Sequence, residues 1–186
     1  MLRTRVGYAG GTTRNPTYHN LGDHSETLQI DYDPAGISYE ALLGIFWGYH
    51  DPTYPRLSRQ YMSAIFYHSE DQKRSAFESG DREASRLNQK VFTEIISFTE
   101  FYIAEDYHQK YALQRNPELM REFKAMYPSF KRIVSSTAAA RVNGYLAGYG
   151  TLKNLRAEID SYGLSDTGRS QLLSVIKASQ CIPCRR

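Results

Sequence analysis

"SETLQIDYDPAGISYEALLGIFWGYHDP", residues 25–52, holds both of the periods from which a fold can be built. In its first part Thr27, Gln29 and Asp31 alternate with Leu28, Ile30 and Tyr32. That period of two is a half-buried strand, stopped by Asp33-Pro34. Ser38 then stands where a helix cap belongs, and Leu42, Ile45, Phe46 and Tyr49 recur at helical spacing until Asp51-Pro52. A strand leading into an amphipathic helix makes a layer of helix on sheet.

The surrounding sequence repeats the pattern. Upstream, "VGYAGG" (6–11) reads as a strand stub running into a glycine turn. Downstream come "MSAIFYH" (62–68) as a strand, the charge-rich segment 70–90 as an amphipathic helix, and "VFTEIISF" (91–98) as a third strand. This order predicts an α+β two-layer sandwich, a small mixed sheet with helices on it in the manner of a ferredoxin-like plait. Three strands and a stub make a thin sheet, as though an element were missing ahead of Leu2. Past Asn116 the character changes. Pro117 opens one helix, Ser136 or Thr137 caps another, "TLKNLRAEIDSYG" (151–163) ends at a glycine, and "SDTGRSQLLSVIKAS" (165–179) supplies a last one. The expected organisation is a domain at 1–116 and a helical extension at 117–186 packed on it.

Composition narrows the function classes. The chain has 186 residues, 41% hydrophobic and 23% charged, as in ordinary globular proteins. Its net charge of +3 is spread thinly, with basic pairs such as Lys73-Arg74 and Lys131-Arg132 but no basic run, so no nucleic-acid footprint is expected. No apolar run reaches the ~20 residues of a membrane helix, and the first residues lack the apolar core of a signal peptide. Two cysteines at the far end do not make a disulfide framework. A soluble, cytoplasmic, monomeric protein is the expectation.

The residues left over are the informative ones. "VGYAGGTTRNPTYHNLGDHSE" (6–26) is rich in turn formers and ends in a glutamate, and "QYMSAIFYH" (60–68) and "FYIAEDYHQKY" (101–111) are dense in hydroxyls and carboxylates. Taken in order with "YDP", "SYEALLGIFW" and "HDPT", these pieces resemble the peptide methionine (S)-S-oxide reductase family over Arg5 to about Tyr111. The resemblance implies an enzyme that returns methionine-S-sulfoxide in oxidised proteins or peptides to methionine, a repair function in oxidative stress. It implies that a cysteine thiolate attacks the sulfoxide sulfur while Glu26, in "DHSE", serves as the acid. Tyr18, in "NPTY", and Tyr61, in "QYMS", would hold the sulfoxide oxygen, with Gly10, Gly11 and Gly22 bringing the loops together. Asp106 and His108, with Glu105, are expected to support the site by ordering a loop beneath it. No bound cofactor or metal is implied, and the electrons would come from thioredoxin or another dithiol.

Two departures qualify the resemblance. The family's nucleophile lies in a Gly-Cys-Phe-Trp segment ahead of the first Val-Gly-Tyr, and these 186 residues contain no such segment. The expectation is therefore an amino-terminally truncated reductase or, alternatively, a non-catalytic module that recognises methionine sulfoxide or methionine-rich peptides. The family's Gly-Asn-Asp loop before "QY" is also replaced by the short "YPRLSR" (54–59), which puts Arg56 or Arg59 where a carboxylate would be. Other readings are plainer. Trp47, beside Phe46, is expected in the core, and His50-Asp51 marks a helix end, since no partner ligands stand at metal spacing. Cys181 and Cys184 form a Cys-x-x-Cys next to Arg185 and Arg186. They are either resolving thiols for exchange or incidental residues of a tail, and a zinc site would need two more ligands.

Overall fold

The structure, a computed structural model, describes residues 2–180, with the side chains of Ser179 and Gln180 outside the description. It divides into two compact units, Val6–Glu105 and Leu2–Arg5 with Asp106 onward. The division falls ahead of the change of sequence character at Asn116.

In the first unit the strands are β1 (Arg3–Ala9, begun in the other unit), β2 (Ser25–Asp31), β3 (Ala64–Tyr67), β4 (Glu94–Ser97) and β5 (Phe101–Ile103). Helix α1 (Tyr39–Gly48) follows β2, and helix α2 (Glu70–Leu87) joins β3 to β4. The α+β character is as the sequence implied, and the strands fall into two sheets: β2-β1-β5, and the pair β3-β4. β3 and β4 run parallel, Ala64 opposite Glu94 and Tyr67 opposite Ser97, as a strand–helix–strand crossover requires. β5, too short to show a period, runs antiparallel to β1 with Gly7 opposite Ile103.

Local chemistry sets the helix ends. Ser38 Oγ accepts from the Ala41 N–H at 3.1 Å, the cap expected of it, and Glu40 adds a carboxylate to the first turn. Ser69 caps α2 through the Gln72 N–H, and Asn88 ends it in the left-handed region at φ +50°. Leu43, Trp47, Ile65 and Ala76 form the buried core of this unit. Trp47 belongs to it as expected, and its indole N–H donates to Ser79 Oγ at 2.9 Å, so the ring is buried without an orphaned donor.

The second unit is helical: α3 (Tyr111–Gln114), α4 (Pro117–Met126), α5 (Phe130–Val134), α6 (Thr137–Leu146), α7 (Leu152–Glu158) and α8 (Asp166–Gln180). Pro117 sits in the first turn of α4, with Asn116 as its cap accepting from the Leu119 N–H. Leu113, Leu119, Phe123, Ile133, Val142, Leu155 and Leu172 are buried together as its core. Glu158 accepts from Arg141 and from the Tyr145 hydroxyl, which joins α6 to α7. Lys110, at φ +51°, points its ammonium at Thr4, donating to the carbonyl oxygen at 2.6 Å and to Oγ1 at 2.9 Å.

Candidate active site

The glycine-rich stretch folds into a loop wrapped around two side chains. The Asp23 carboxylate accepts from the Thr12 and Thr13 N–H groups at 2.8–3.0 Å and from both threonine hydroxyls. Donors of Thr13, then those of Thr12, hold this carboxyl well below the usual carboxylate range. His24 is buried. Its Nδ1 accepts from the Gly11 N–H at 3.2 Å, and its Nε2 lies 2.8 Å from the Thr13 carbonyl oxygen. Both partners are satisfied by the neutral ring with its proton on Nε2. Gly22, at φ +62°, has Thr13 Oγ1 at 2.1 Å from where a Cβ would stand, so this turn admits only glycine.

This loop delivers Glu26 at the start of β2. Glu26 Oε1 accepts from Gln60 Nε2 at 2.7 Å, and the neighbouring Ser25 Oγ donates to the Arg59 carbonyl oxygen at 2.7 Å. Arg59 reaches back with Nε to the Asp23 carbonyl oxygen at 3.2 Å and with Nη2 to the Gly10 carbonyl oxygen at 3.0 Å. Its remaining nitrogen meets Glu94 at 3.3 Å. The short turn Arg59–Tyr61 is thus fastened to the Glu26 loop at four points. Tyr61 ends that turn and is 57% exposed.

Tyr18 is held from another side. Its N–H donates to Glu105 Oε1 at 3.0 Å, while Glu105 Oε2 accepts from the Tyr8 hydroxyl at 2.7 Å. The Tyr18 ring stands partly exposed, edge-on to His19. Asp106 and His108 lie in the second unit, in a single turn of 3₁₀ helix, where the Asp106 carbonyl oxygen accepts from Gln114. Cys181 and Cys184 lie outside the described residues. His50 bonds through Nδ1 to the Phe46 carbonyl oxygen and through Nε2 to Thr93, closing the end of α1. Neither Arg59 nor Gln60 was foreseen as a partner of the Glu26 loop: Arg59 was expected only to fill the space of the family's missing carboxylate, and Gln60 had no signal beyond adjacency to Tyr61.

Glu26 also stands on the wall of a cleft of about 580 Å³. The cleft runs between β2 and β3 over α1, and Leu28, Ile30, Phe46, Phe66 and Phe98 make most of its surface apolar. Tyr18 and Tyr61 are not among the residues that line it. A carboxylate at the edge of an apolar cleft suits a ligand with one polar atom on an apolar stem.

The chain is similar to known proteins over most of its length. Residues 1–141 match the family described as peptide methionine sulfoxide reductase, and residues 131–176 match the helical domain of selenoprotein methionine sulfoxide reductase A. The chain is 45% identical over 172 residues to the peptide methionine sulfoxide reductase of Drosophila melanogaster, which covers 91% of this chain and 68% of that protein. It is 41% identical over 155 residues to peptide methionine sulfoxide reductase A5 of Arabidopsis thaliana, covering 79% of this chain and 59% of the relative. Against the MsrA of Methanothermobacter thermautotrophicus the identity is 43% over 128 residues, 63% of this chain and 75% of the relative. The crystal structure of Mxr1 from Saccharomyces cerevisiae in reduced form superposes with a TM-score of 0.57 at 30% identity, over 62% of this chain and 71% of that one. Among the described residues no helix is long and apolar enough to cross a membrane. With a family match over most of its length and a relative 45% identical over nine-tenths of it, the chain belongs to the peptide methionine sulfoxide reductase family.

Proposed function

We propose that this chain carries the sulfoxide-holding half of a peptide-methionine (S)-S-oxide reductase site, with Glu26 as the acid and Tyr18 and Tyr61 as hydroxyl donors. The observation that supports it best is the fastening of Glu26 by Gln60 on the wall of an apolar cleft, within the segment matching the family. The methionine stem and methyl group would lie on apolar surface while the sulfoxide oxygen, the only strong acceptor on the side chain, meets the carboxylic acid and the phenols. In the reaction a thiolate attacks sulfur, the oxygen takes up protons and leaves as water, and a second thiol displaces the sulfide as a disulfide forms. Two thiols are oxidised and one sulfoxide is reduced, so the balance closes with a dithiol, thioredoxin or a small one, as electron donor. Tyrosine and carboxylate groups without a thiolate provide no covalent path. Cys181 and Cys184 are the cysteines of the sequence, and a resolving role in exchange suits a Cys-x-x-Cys beside two arginines.

The test uses both epimers of N-acetyl-methionine sulfoxide methylamide and an isotope-labelled chain. The S epimer should shift the amide resonances of Glu26, Gln60 and Tyr61 at lower concentration than the R epimer, and Glu26→Ala should weaken that binding about tenfold, the worth of one good hydrogen bond. Equal binding of the two epimers, or indifference to Glu26→Ala, would defeat the assignment. Turnover with dithiothreitol separates a reductase from a module that recognises the sulfoxide without reducing it.

A further inference from the structure

The two units differ in charge far more than a net value of +3 suggests. Residues 6–105 carry eight Lys and Arg against fourteen Asp and Glu, while the helical unit, residues 2–5 with 106–186, carries fifteen against six. Most carboxylates of the helical unit are engaged inside it. Glu122 accepts from the Ser165 N–H and hydroxyl, Glu158 from Arg141 and Tyr145, and Asp160 and Asp166 both meet Arg169. Many of its cations are not. Within the twelve residues of "REFKAMYPSFKR" (121–132), Arg121, Lys124, Lys131 and Arg132 are exposed, and their side chains have no hydrogen-bond or ion-pair partner among the described residues. Packing groups these four. α4 buries Leu119, Met120 and Phe123, which turns Arg121 and Lys124, three positions apart, outward together. α5 packs against α4, buries Ile133 and Val134, and presents Lys131 and Arg132. The helix dipole favours a cation in a last turn, which suits Lys124. It gives no reason for Arg121, which stands mid-helix. Like charges so placed repel one another, and an anionic partner relieves them.

We propose that the α4–α5 surface docks an acidic polypeptide segment, a run of Asp and Glu in a partner protein that offers a carboxylate to each of these cations. The guanidiniums of Arg121 and Arg132 can each grip a carboxylate through two N–H groups, and Lys124 and Lys131 add point charge. The surrounding surface selects a polypeptide among anions. A helix that lies on a membrane sets large apolar residues beside its cations, and a single-stranded nucleic acid is held by rings on which its bases stack. Here Tyr127 and Phe130 pack against the core and Phe123 is fully buried. Among the described residues no large apolar side chain from 112 to 148 is exposed. Carboxylates need neither rings nor apolar neighbours, so they match this patch as it stands. The proposal stands independently of the role given to Glu26.

The test is a titration of the labelled chain with capped hexaglutamate, and with capped hexaglutamine as the uncharged control. It is run at ~0.1 M salt, where charges more than ~10 Å apart are largely screened and local ones dominate. Hexaglutamate should shift amide resonances of α4 and α5, and hexaglutamine should leave them in place. Two double variants remove equal charge from exposed positions. Arg121→Gln with Lys124→Gln should weaken hexaglutamate about fivefold or more, whereas Lys153→Gln with Arg156→Gln, on α7, should change it less than about twofold. Lys131→Gln with Arg132→Gln should repeat the first result. Equal weakening by the α4 and α7 pairs would make the binding a matter of net charge and overturn the surface. So would unshifted resonances, equal binding of the two peptides, or tighter binding of a DNA duplex or of phosphatidylserine vesicles at the same anion concentration. A salt-sensitive dimer of the chain alone, with α4 and α5 at its interface, would also overturn it, since a second copy would then be the occupant.

Discussion

Arg59→Met tests whether the Glu26 loop is held from outside itself. Methionine keeps much of the apolar stem and removes the guanidinium. Three bonds go with it: to the carbonyl oxygens of Gly10 (3.0 Å) and Asp23 (3.2 Å), and to the Glu94 carboxylate (3.3 Å). A hydrogen bond to a charged group is worth about 1.5–3 kcal/mol. The Arg59 side chain is 41% exposed, so solvent replaces part of each bond, and about 1 kcal/mol apiece is the fair figure. The surface pair with Glu94 adds ~0–1 kcal/mol. Loss of the clamp should then favour opening of the loop by about 2 kcal/mol, or ~30-fold. The reporters are the amides of Gly11, Thr12 and Thr13, which donate to His24 Nδ1 and to the Asp23 carboxylate. Under native conditions their hydrogen exchange should accelerate ~30-fold in Arg59→Met while amides inside α2 keep their rates. Unchanged exchange at all three would show that the loop holds itself through Asp23 and His24 alone. Equal acceleration in α2 would show that Arg59 supports the whole unit.

Two further outcomes concern the helical unit. Burial, then the nearby Arg5, pulls the Lys110 ammonium down to about 8, below the ~10.4 of an unfolded chain. Between those values the unfolded state binds more protons, so stability should rise with pH from about 8 to about 10.4, and urea midpoints of Lys110→Met should lack that rise. Phe123 is fully buried, so Phe123→Ala should cost about 3–5 kcal/mol, seen as a lowered urea midpoint by far-ultraviolet circular dichroism.

What was legible in the sequence was local. Ser38, Ser136 and Pro117 mark helix starts, and Gly163 at φ +73° marks a stop, because a cap or a left-handed turn is settled within a few residues. β5 was not legible. Phe101, Tyr102 and Ile103 form a strand because β1 offers an edge more than ninety positions away in sequence, and three residues cannot show a period. The short helix α5 escaped notice for the same reason of length. The split of the strands into two sheets depends on which edges meet, and hydrophobic alternation carries no information about that.

The same division between local and distant runs through the site. Glu26, Tyr18 and Tyr61 are proposed from short motifs, yet the residues that hold Glu26 and the Tyr18 backbone look like surface. Gln60 acts on Glu26 from 34 positions away, Arg59 on Gly10 from 49, and Glu105 on Tyr18 from 87. A glutamine or arginine in an exposed turn has no pattern that tells a clamp from a solvated side chain, because its partner is defined only once the chain has folded. The fifteen tyrosines make the point sharper. Tyr8 is 2% exposed and spends its hydroxyl on Glu105, so it serves packing and the loop. Tyr18 and Tyr61, the two proposed as hydroxyl donors, are 39% and 57% exposed. Burial therefore does what composition could not: it separates a tyrosine that builds the loop from those exposed at its surface. It also makes Glu105 a joint, since its two oxygens take one residue of each kind, and any ligand that moves the Tyr18 loop must act against the bond anchored by Tyr8.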